Sequence, residues 1–469
     1  MDDSTVPASD TMGATHKTRL GLLWVYPDSV LIAAGQPEQP AAPKFTEIGG
    51  DAVIGRSLDS DIVVDAGQVS RRHLLIRRNG PLLVAEDLQS RNGSYHNGER
   101  FDKTLLEPGS LIRIGEALAI VRDAGGGIDF SFSELGPGFW GGHTLAAHLS
   151  QLRRVASSDL SVIIQGETGT GKEGVALALH HYSGRSGRFV AINCAALPES
   201  LIESQLFGHR RGAFTGAERS EIGYIGASDG GTLFLDEVPE LRPSIQSRLL
   251  RVLQEREFTP VGDTRPVRVD LRVVVASQAP LEGAVMAGTF REDLYARLNG
   301  YQVTLPPLCD RREDIPFLFR HFLAQRFGGR PPELRASLLE ALCLHEWPRN
   351  VRELETFAKR LSVLHGHRTQ LGLDQLADAL DSGLTPAPSR SEPGTNRPSS
   401  RRTEPPQCEP GSVRDQESNA LVAALNDHDG NVVRAAKQLG ISRSRAYRQM
   451  LALGIDVQRY RKRSLRGEA

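Results

Sequence analysis

The sequence predicts a multidomain protein with three fold classes in succession: an all-β sandwich, an α/β domain with a small helical lid, and an all-α helix-turn-helix. Three observations carry that expectation. Up to about residue 122, short apolar alternations are punctuated by Asn-Gly and Pro-Gly turn signals, as in a β-sandwich. From about 137 to 380, apolar runs alternate with helical patterns, as in a largely parallel sheet. Near the C-terminus, helical stretches are broken by Gly430-Asn431 and Gly440-Ile441, the spacing of a helix-turn-helix.

A chain of 469 residues has room for about three domains. We place a disordered start at 1–17, the sandwich at 18–122, a Gly- and Ser-rich linker at 123–137, the α/β subdomain at 138–305 and its lid at 306–380. A flexible linker at 381–413 and the helix-turn-helix at 414–469 complete the chain. The net charge of −1 gives no global argument for nucleic acid, so only local clusters of charge can make one. No apolar run reaches the ~18 residues that span a bilayer, and residues 1–17 lack the apolar core of a signal peptide. Cys194, Cys309, Cys343 and Cys408 fall in no metal or disulfide spacing. The expectation is a cytoplasmic protein with no membrane partner.

In the sandwich, strands are expected at 53–54, 61–64, 74–76, 82–85 and 111–114, separated by Asn79-Gly80, Asn92-Gly93, Asn97-Gly98 and Pro108-Gly109. Within that frame stand Gly55-Arg56, Ser70-Arg71-Arg72-His73, Asn92-Gly93 and Asn97. In order and spacing these residues resemble the forkhead-associated (FHA) domain, an all-β fold that binds phosphothreonine peptides. The resemblance implies that Arg56 and Ser70 hold the phosphate with Arg71 and Arg91 close by. It implies that Asn92 holds the peptide backbone, and that His73 and Asn97 support the loops. Arginine pairs with phosphate by charge-assisted, potentially bidentate hydrogen bonds, and a serine hydroxyl adds a neutral donor. The partner would be a phosphothreonine protein, such as a Ser/Thr kinase or its substrate, or a threonine of the chain itself.

The α/β region opens with an apolar run at 160–164, then Gly166-Glu167-Thr168-Gly169-Thr170-Gly171-Lys172-Glu173, then a helical pattern from 175. Strand, glycine-rich loop and helix start form a phosphate cradle: backbone N–H groups approach the polyphosphate and Lys172 reaches its terminal phosphates. About sixty residues on, Leu233-Phe234-Leu235 ends in Asp236-Glu237. Asp236 can position Mg²⁺ and Glu237 can take a proton from an attacking water, which makes an ATPase site with ATP and Mg²⁺ as cofactors. Between the halves lies Gly212-Ala213-Phe214-Thr215-Gly216-Ala217. Its composition suits either a flexible loop with an exposed aromatic tip or a loop whose Phe packs locally.

That GAFTGA string, the Lys-Glu ending of the nucleotide loop and the Gly230 to Glu237 strand resemble the AAA+ domain of bacterial sigma-54-dependent enhancer-binding proteins. The likeness runs from about 160 to 364 and makes Glu173, awkward for a general NTPase, a family feature. It implies that Asn193 restrains Glu237, that Arg291 and Arg297 serve a neighbouring subunit's nucleotide in a homo-oligomeric ring, and that Arg352 is the lid's sensor arginine. It also implies that loop residues 212–217, Phe214 and Thr215 foremost, contact sigma-54. Arginine supplied in trans stabilises charge on the transferred phosphoryl group. Five positions depart from the pattern: Ser277-Gln278 for a Thr-Asn pair, Gln205 for Glu, and Pro239 and Arg349 for Gly.

The C-terminal stretch carries Gly430-Asn431, Ala435-Ala436 and Gly440-Ile441, followed by Ser442 as a helix cap. Ser442, Arg443, Ser444, Arg445, Tyr447 and Arg448 then stand on the expected recognition helix, with further basic residues beyond. The stretch resembles Fis-type helix-turn-helix domains. Together the parts imply an activator that holds upstream enhancer DNA and remodels sigma-54 RNA polymerase holoenzyme with ATP. The alternatives are a DNA-bound AAA+ repressor or scaffold, against which the intact Phe214-Thr215 speaks, and a DNA-processing ATPase, which no nuclease or helicase pattern supports.

Overall fold

The computed structural model describes residues 19–27, 43–80, 82–125, 128–198, 201–214, 217–328 and 331–375, with Ala424 and Gln438 beyond them. The flexible linker expected at 381–413, the helix-turn-helix apart from Ala424 and Gln438, and so Ser442 to Arg448, therefore lie outside the described residues, as do the start expected to be disordered and Thr215-Gly216.

The N-terminal region is a sandwich of two sheets. One has six strands in the order Lys44–Glu47, Leu20–Tyr26, Ala117–Asp123, Leu111–Ile114, Ser94–His96, Glu99–Phe101. The other has five, in the order Ile62–Val63, Ala52–Gly55, Leu74–Asn79, Leu82–Asp87, Lys103–Leu106. Alternation along Leu74–Asn79 puts Leu74 and Ile76 inside, and the Asn97-Gly98 turn takes positive φ at both residues, which Asn and Gly tolerate.

The α/β region has a five-stranded parallel sheet in the order Phe189–Asn193, Thr232–Asp236, Arg272–Ser277, Val162–Gln165, Tyr301–Thr304. The first of these in sequence, Val162–Gln165, sits between the fourth and fifth. That reversal of strand order creates the crevice at the C-terminal strand ends where ligands bind in open α/β sheets. The helix Lys172–Ser183 follows the first strand. The lid consists of helices Asp314–Arg326, Ala336–Leu344 and Asn350–His365. Among the described residues no helix is long and apolar enough to cross a membrane.

The segment read as a linker is partly built into the core. Ser133–Gly136 pairs with Phe139–Gly141, Phe130 stacks on Phe45 of the sandwich at 4.9 Å, and Phe132 stacks on Phe317 of the lid at 5.1 Å. Its small residues suggested a tether; two aromatics, Phe130 and Phe132, with Trp140 just beyond it, decide the packing instead. Leu23, Val25, Leu111, Leu118 and Ile120 of the sandwich share one apolar cluster with lid residues such as Phe319, Leu338 and Leu342.

Candidate functional sites

The nucleotide loop leaves the buried strand Val162–Gln165, and its glycines are needed where the chain runs closest to its neighbours. Gly169 has φ +79, and a Cβ there would lie 2.1 Å from the Arg349 carbonyl oxygen. Lys172 begins the helix at 7% exposure; its Nζ donates to the Gly166 oxygen at 2.8 Å and stands 3.5 Å from Glu237 Oε1. Glu173 is exposed in the first helical turn, where a carboxylate favours the helix dipole. Thr170 is buried and bonds back to the Glu167 oxygen at 2.8 Å.

Asp236 and Glu237 stand at the C-terminal end of the strand Thr232–Asp236, which Arg272–Ser277 separates from Val162–Gln165, and Glu237 adopts a left-handed φ of +55. Burial pushes the Asp236 carboxyl above its ordinary range; Lys172 opposes the shift and Glu237 adds to it. The resemblance leads one to expect Asn193 on Glu237. Here the Asn193 amide donates instead to Asp236 Oδ2 at 3.3 Å, because the parallel pairing of their strands sets Asn193 beside Asp236. Glu237 is held by Gln278, whose Nε2 donates to Oε1 at 3.1 Å. The departure from Asn to Gln thus leaves an amide on the glutamate, and no sequence signal pointed to that pairing. Ser277 bonds the Ala279 oxygen at 2.6 Å.

This set fits a nucleotide with a divalent cation: a nearly buried ammonium, a glycine-rich loop and an Asp carboxyl whose charge a cation would relieve. Among the described residues no three His, Cys, Asp or Glu groups could hold a metal alone. Mg²⁺ suits such a place, since it is commonly bound by one or two carboxylates plus substrate phosphates.

The lid closes on the loop from the other side. Arg352 Cβ would be 3.0 Å from a Cβ at Gly169, and its charge acts on Asp236. Arg349, where Gly was expected, has φ −111 and needs no glycine; the left-handed residue is Asn350, at φ +52. Pro239 fits the first turn of the short helix Val238–Glu240. Arg311, buried, donates to the Thr170 oxygen at 2.8 Å, a contact that ordinary-looking sequence conceals. Arg291 and Arg297 are exposed and bond Asp293, Ser247 and the Leu253 oxygen, none of them in the nucleotide loop of this chain. Of the 212–217 loop, Phe214 is exposed and packs against His209 at 5.0 Å. The stem is closed by Gly212 N to the Ala217 oxygen at 2.8 Å.

At one end of the sandwich, backbone and side chains draw Arg56, Ser70, Arg71, Arg91 and Asn92 together. Arg56 N donates to the Ser70 oxygen at 2.9 Å and Ser57 N to the Arg71 oxygen at 3.0 Å. Arg91 N donates to Ser70 Oγ at 3.1 Å, which leaves that hydroxyl's own proton for an acceptor outside. Asn92 Nδ2 donates to the Gln68 oxygen at 2.7 Å. Arg56, Arg71 and Arg91 are exposed. His73 is fully buried: Nδ1 accepts from Ser70 N at 3.0 Å, so Nε2 donates to the Gly93 oxygen at 3.2 Å. That pair of roles requires the neutral ring, and burial lowers its pKa accordingly. Asn97 Oδ1 accepts from Leu111 N at 2.9 Å and supports its turn.

Comparison with known proteins finds four family models in order along the chain. They are an FHA domain at residues 52–115, a sigma-54 interaction domain at 141–304, an AAA+ ATPase lid domain at 309–392, and the Fis family of bacterial regulatory proteins at 412–451. The C4-dicarboxylate transport transcriptional regulatory protein DctD of Rhizobium meliloti (strain 1021) is 49% identical over 245 residues, 51% of this chain and 52% of that protein. The DNA-binding transcriptional regulator NtrC of Bradyrhizobium sp. (strain RP501 Parasponia) is 52% identical over 217 residues, 46% of this chain and 45% of that one. The chain thus spans about half the length of the curated relatives it matches. Among solved structures, NtrX from Brucella abortus in complex with ATP is 32% identical, with 66% of this chain and 67% of that one covered and a TM-score of 0.46.

Proposed function

We propose, for a chain that belongs to the sigma-54-dependent activators with an FHA domain and a Fis-type helix-turn-helix, that it hydrolyses ATP to drive sigma-54 RNA polymerase holoenzyme into the open complex. The observation that carries the reading is the meeting of Lys172, Asp236 and Glu237 at one sheet edge, in the domain that also presents Phe214. Lys172 binds the β and γ phosphates, and Asp236 holds Mg²⁺, which when bound neutralises charge on the phosphate oxygens. Glu237, oriented by Gln278, takes the proton of the attacking water. Arg291 and Arg297 are offered to the next subunit of a ring, and Arg352 reads the nucleotide from the lid. Loop residues 212–217 deliver the work to sigma-54. Ser442, Arg443, Ser444, Arg445, Tyr447 and Arg448 hold upstream DNA, and Arg56, Ser70, Arg71, Arg91 and Asn92 receive a phosphothreonine protein. All of this takes place in the cytoplasm.

In vitro transcription from a sigma-54 promoter tests the reading with wild type and Thr215→Ala. Open complexes with wild type and none with the variant are expected, while both proteins hydrolyse ATP. Open complexes from both, or from neither, would defeat it, the second outcome favouring a repressor or scaffold.

A further inference from the structure

Asn350 is fully buried and left-handed, a conformation that disfavours most non-glycine residues and that Asn tolerates. Its side chain is fully engaged in return. Oδ1 accepts from Leu308 N at 2.6 Å, and Nδ2 donates to the Thr168 oxygen at 3.1 Å and to Glu167 Oε2 at 3.2 Å. Next to it, Val351 N donates to the Gly169 oxygen at 3.0 Å. One lid segment therefore grips three successive residues of the nucleotide loop, Glu167, Thr168 and Gly169.

That segment is itself fixed from the sandwich. Trp347 Nε1 ties it to the Leu342 oxygen, at the end of helix Ala336–Leu344, at 2.8 Å. Glu116 of the sandwich caps the start of the same helix, its Oε2 accepting from Ala336 N at 2.8 Å and its Oε1 from Arg335 at 3.1 Å. An anion there satisfies an orphan amide and favours the helix dipole. Farther along, Glu340 accepts from Gly98 N at 3.1 Å and from Arg113 Nε at 2.6 Å. On the sandwich side, Glu116 N donates to the Gly67 oxygen at 2.9 Å, and the neighbouring Gln68 oxygen accepts from Asn92. Glu116 thus stands between the Asn92 end of the sandwich and the lid.

We infer that Asn350 is a positioning residue for the nucleotide loop, and that the sandwich sets ATP affinity through it by the grip of Glu116 and Glu340 on helix Ala336–Leu344. This rests on the ATPase reading above. Asn350 acts by holding Glu167 and Thr168 in place and touches no reacting atom. A lid contact of merely structural value would change stability and leave the ATP terms alone.

The test measures KM, kcat and the affinity for a fluorescent ATP analogue on the full chain. Asn350→Gly relieves the backbone conformation and removes both donors; KM and Kd for ATP should rise about tenfold with kcat within about twofold, the mark of lost uniform binding. Asn350→Asp keeps the acceptor for Leu308 N but sets a carboxylate against Glu167, so the rise in KM and Kd should be at least as large, with some loss of melting temperature from the buried charge. Glu116→Gln with Glu340→Gln should shift ATP affinity severalfold alone and add nothing in the Asn350→Gly background, because coupled sites are non-additive. An unchanged KM in Asn350→Gly, or full additivity, would overturn the inference with the ATPase reading intact. A wild type that neither binds nor hydrolyses ATP would remove that reading first and this inference with it.

Discussion

The two sites proposed to take phosphate treat charge in opposite ways. On the sandwich, Arg56, Arg71 and Arg91 are exposed on loops held by backbone hydrogen bonds, and the buried His73 beside them is kept neutral. In the ATPase domain, Lys172 is nearly buried and Asp236 carries a carboxyl pushed upward by burial. On the proposed reading, the exposed guanidinium cluster would bind and release a phosphopeptide without rearranging its own charges. A half-buried ion set is poorly satisfied by itself and is completed by ligand, as suits a place where charge must be stabilised as it develops. On that reading, recognition and chemistry take place in different dielectric surroundings.

The largest effect should come from the buried end. Glu237→Gln keeps the shape and the Gln278 neighbour but removes the base, so hydrolysis should fall by about 10²–10⁴-fold with ATP still bound, read by phosphate release and by filter binding. A variant within tenfold of wild type would move the water's proton to another group. Next comes Arg56→Ala, which removes one charge-assisted partner from an exposed site. Phosphothreonine-peptide affinity should drop about 10–100-fold by titration calorimetry, with ATP hydrolysis in the absence of peptide unchanged. Equal binding of the unphosphorylated peptide by wild type would sink the assignment of that end.

The smallest effect sharpens the contrast most. A histidine whose pKa is lowered in the fold adds stability above its ordinary 6.5 and loses it as pH falls through the lowered value. A carboxyl whose pKa is raised adds stability below its ordinary 3.8 and loses it as pH rises through the raised value. Acidification from pH 7 to 5 should therefore loosen the sandwich around Ser70 and Gly93 while the Asp236 strand end holds or tightens. Amide exchange of the full chain, corrected for intrinsic rates, would show this as lower protection at the first place only. Parallel loss at both would contradict the opposed burial effects.

What could be read in the sequence follows the range of each interaction. The nucleotide loop, the Asp236-Glu237 strand end and the Gly55-Arg56 and Ser70–His73 loops were legible because each is a short string whose backbone demands are local. The sandwich and parallel-sheet classes followed from turn spacing and apolar runs. Asn350 and Glu116 were not legible. Their partners lie 183 and 220 residues away in sequence, and nothing in the local pattern around either marks a contact. Gln278 was noticed only as a departure; its hydrogen bond to Glu237 needs two strands in register. Residues 123–137 misled because Gly and Ser outnumber the aromatics that fix the segment, and composition weighs residues by number where packing weighs them by area.

The apolar cluster shared by sandwich and lid bears on how such regulators are assembled from parts. Leu338 and Leu342 are covered in company with Leu111, Leu118 and Ile120 across the boundary, and Phe130 belongs to the same cluster. A sensory module joined this way is not an interchangeable cassette. Grafting a different input domain at residue 123 would strip greasy surface from the lid, and the chimera should clump unless the newcomer brings a matching patch. Lineages that exchange the input domain of such a chain would have to rewrite the lid helix with it.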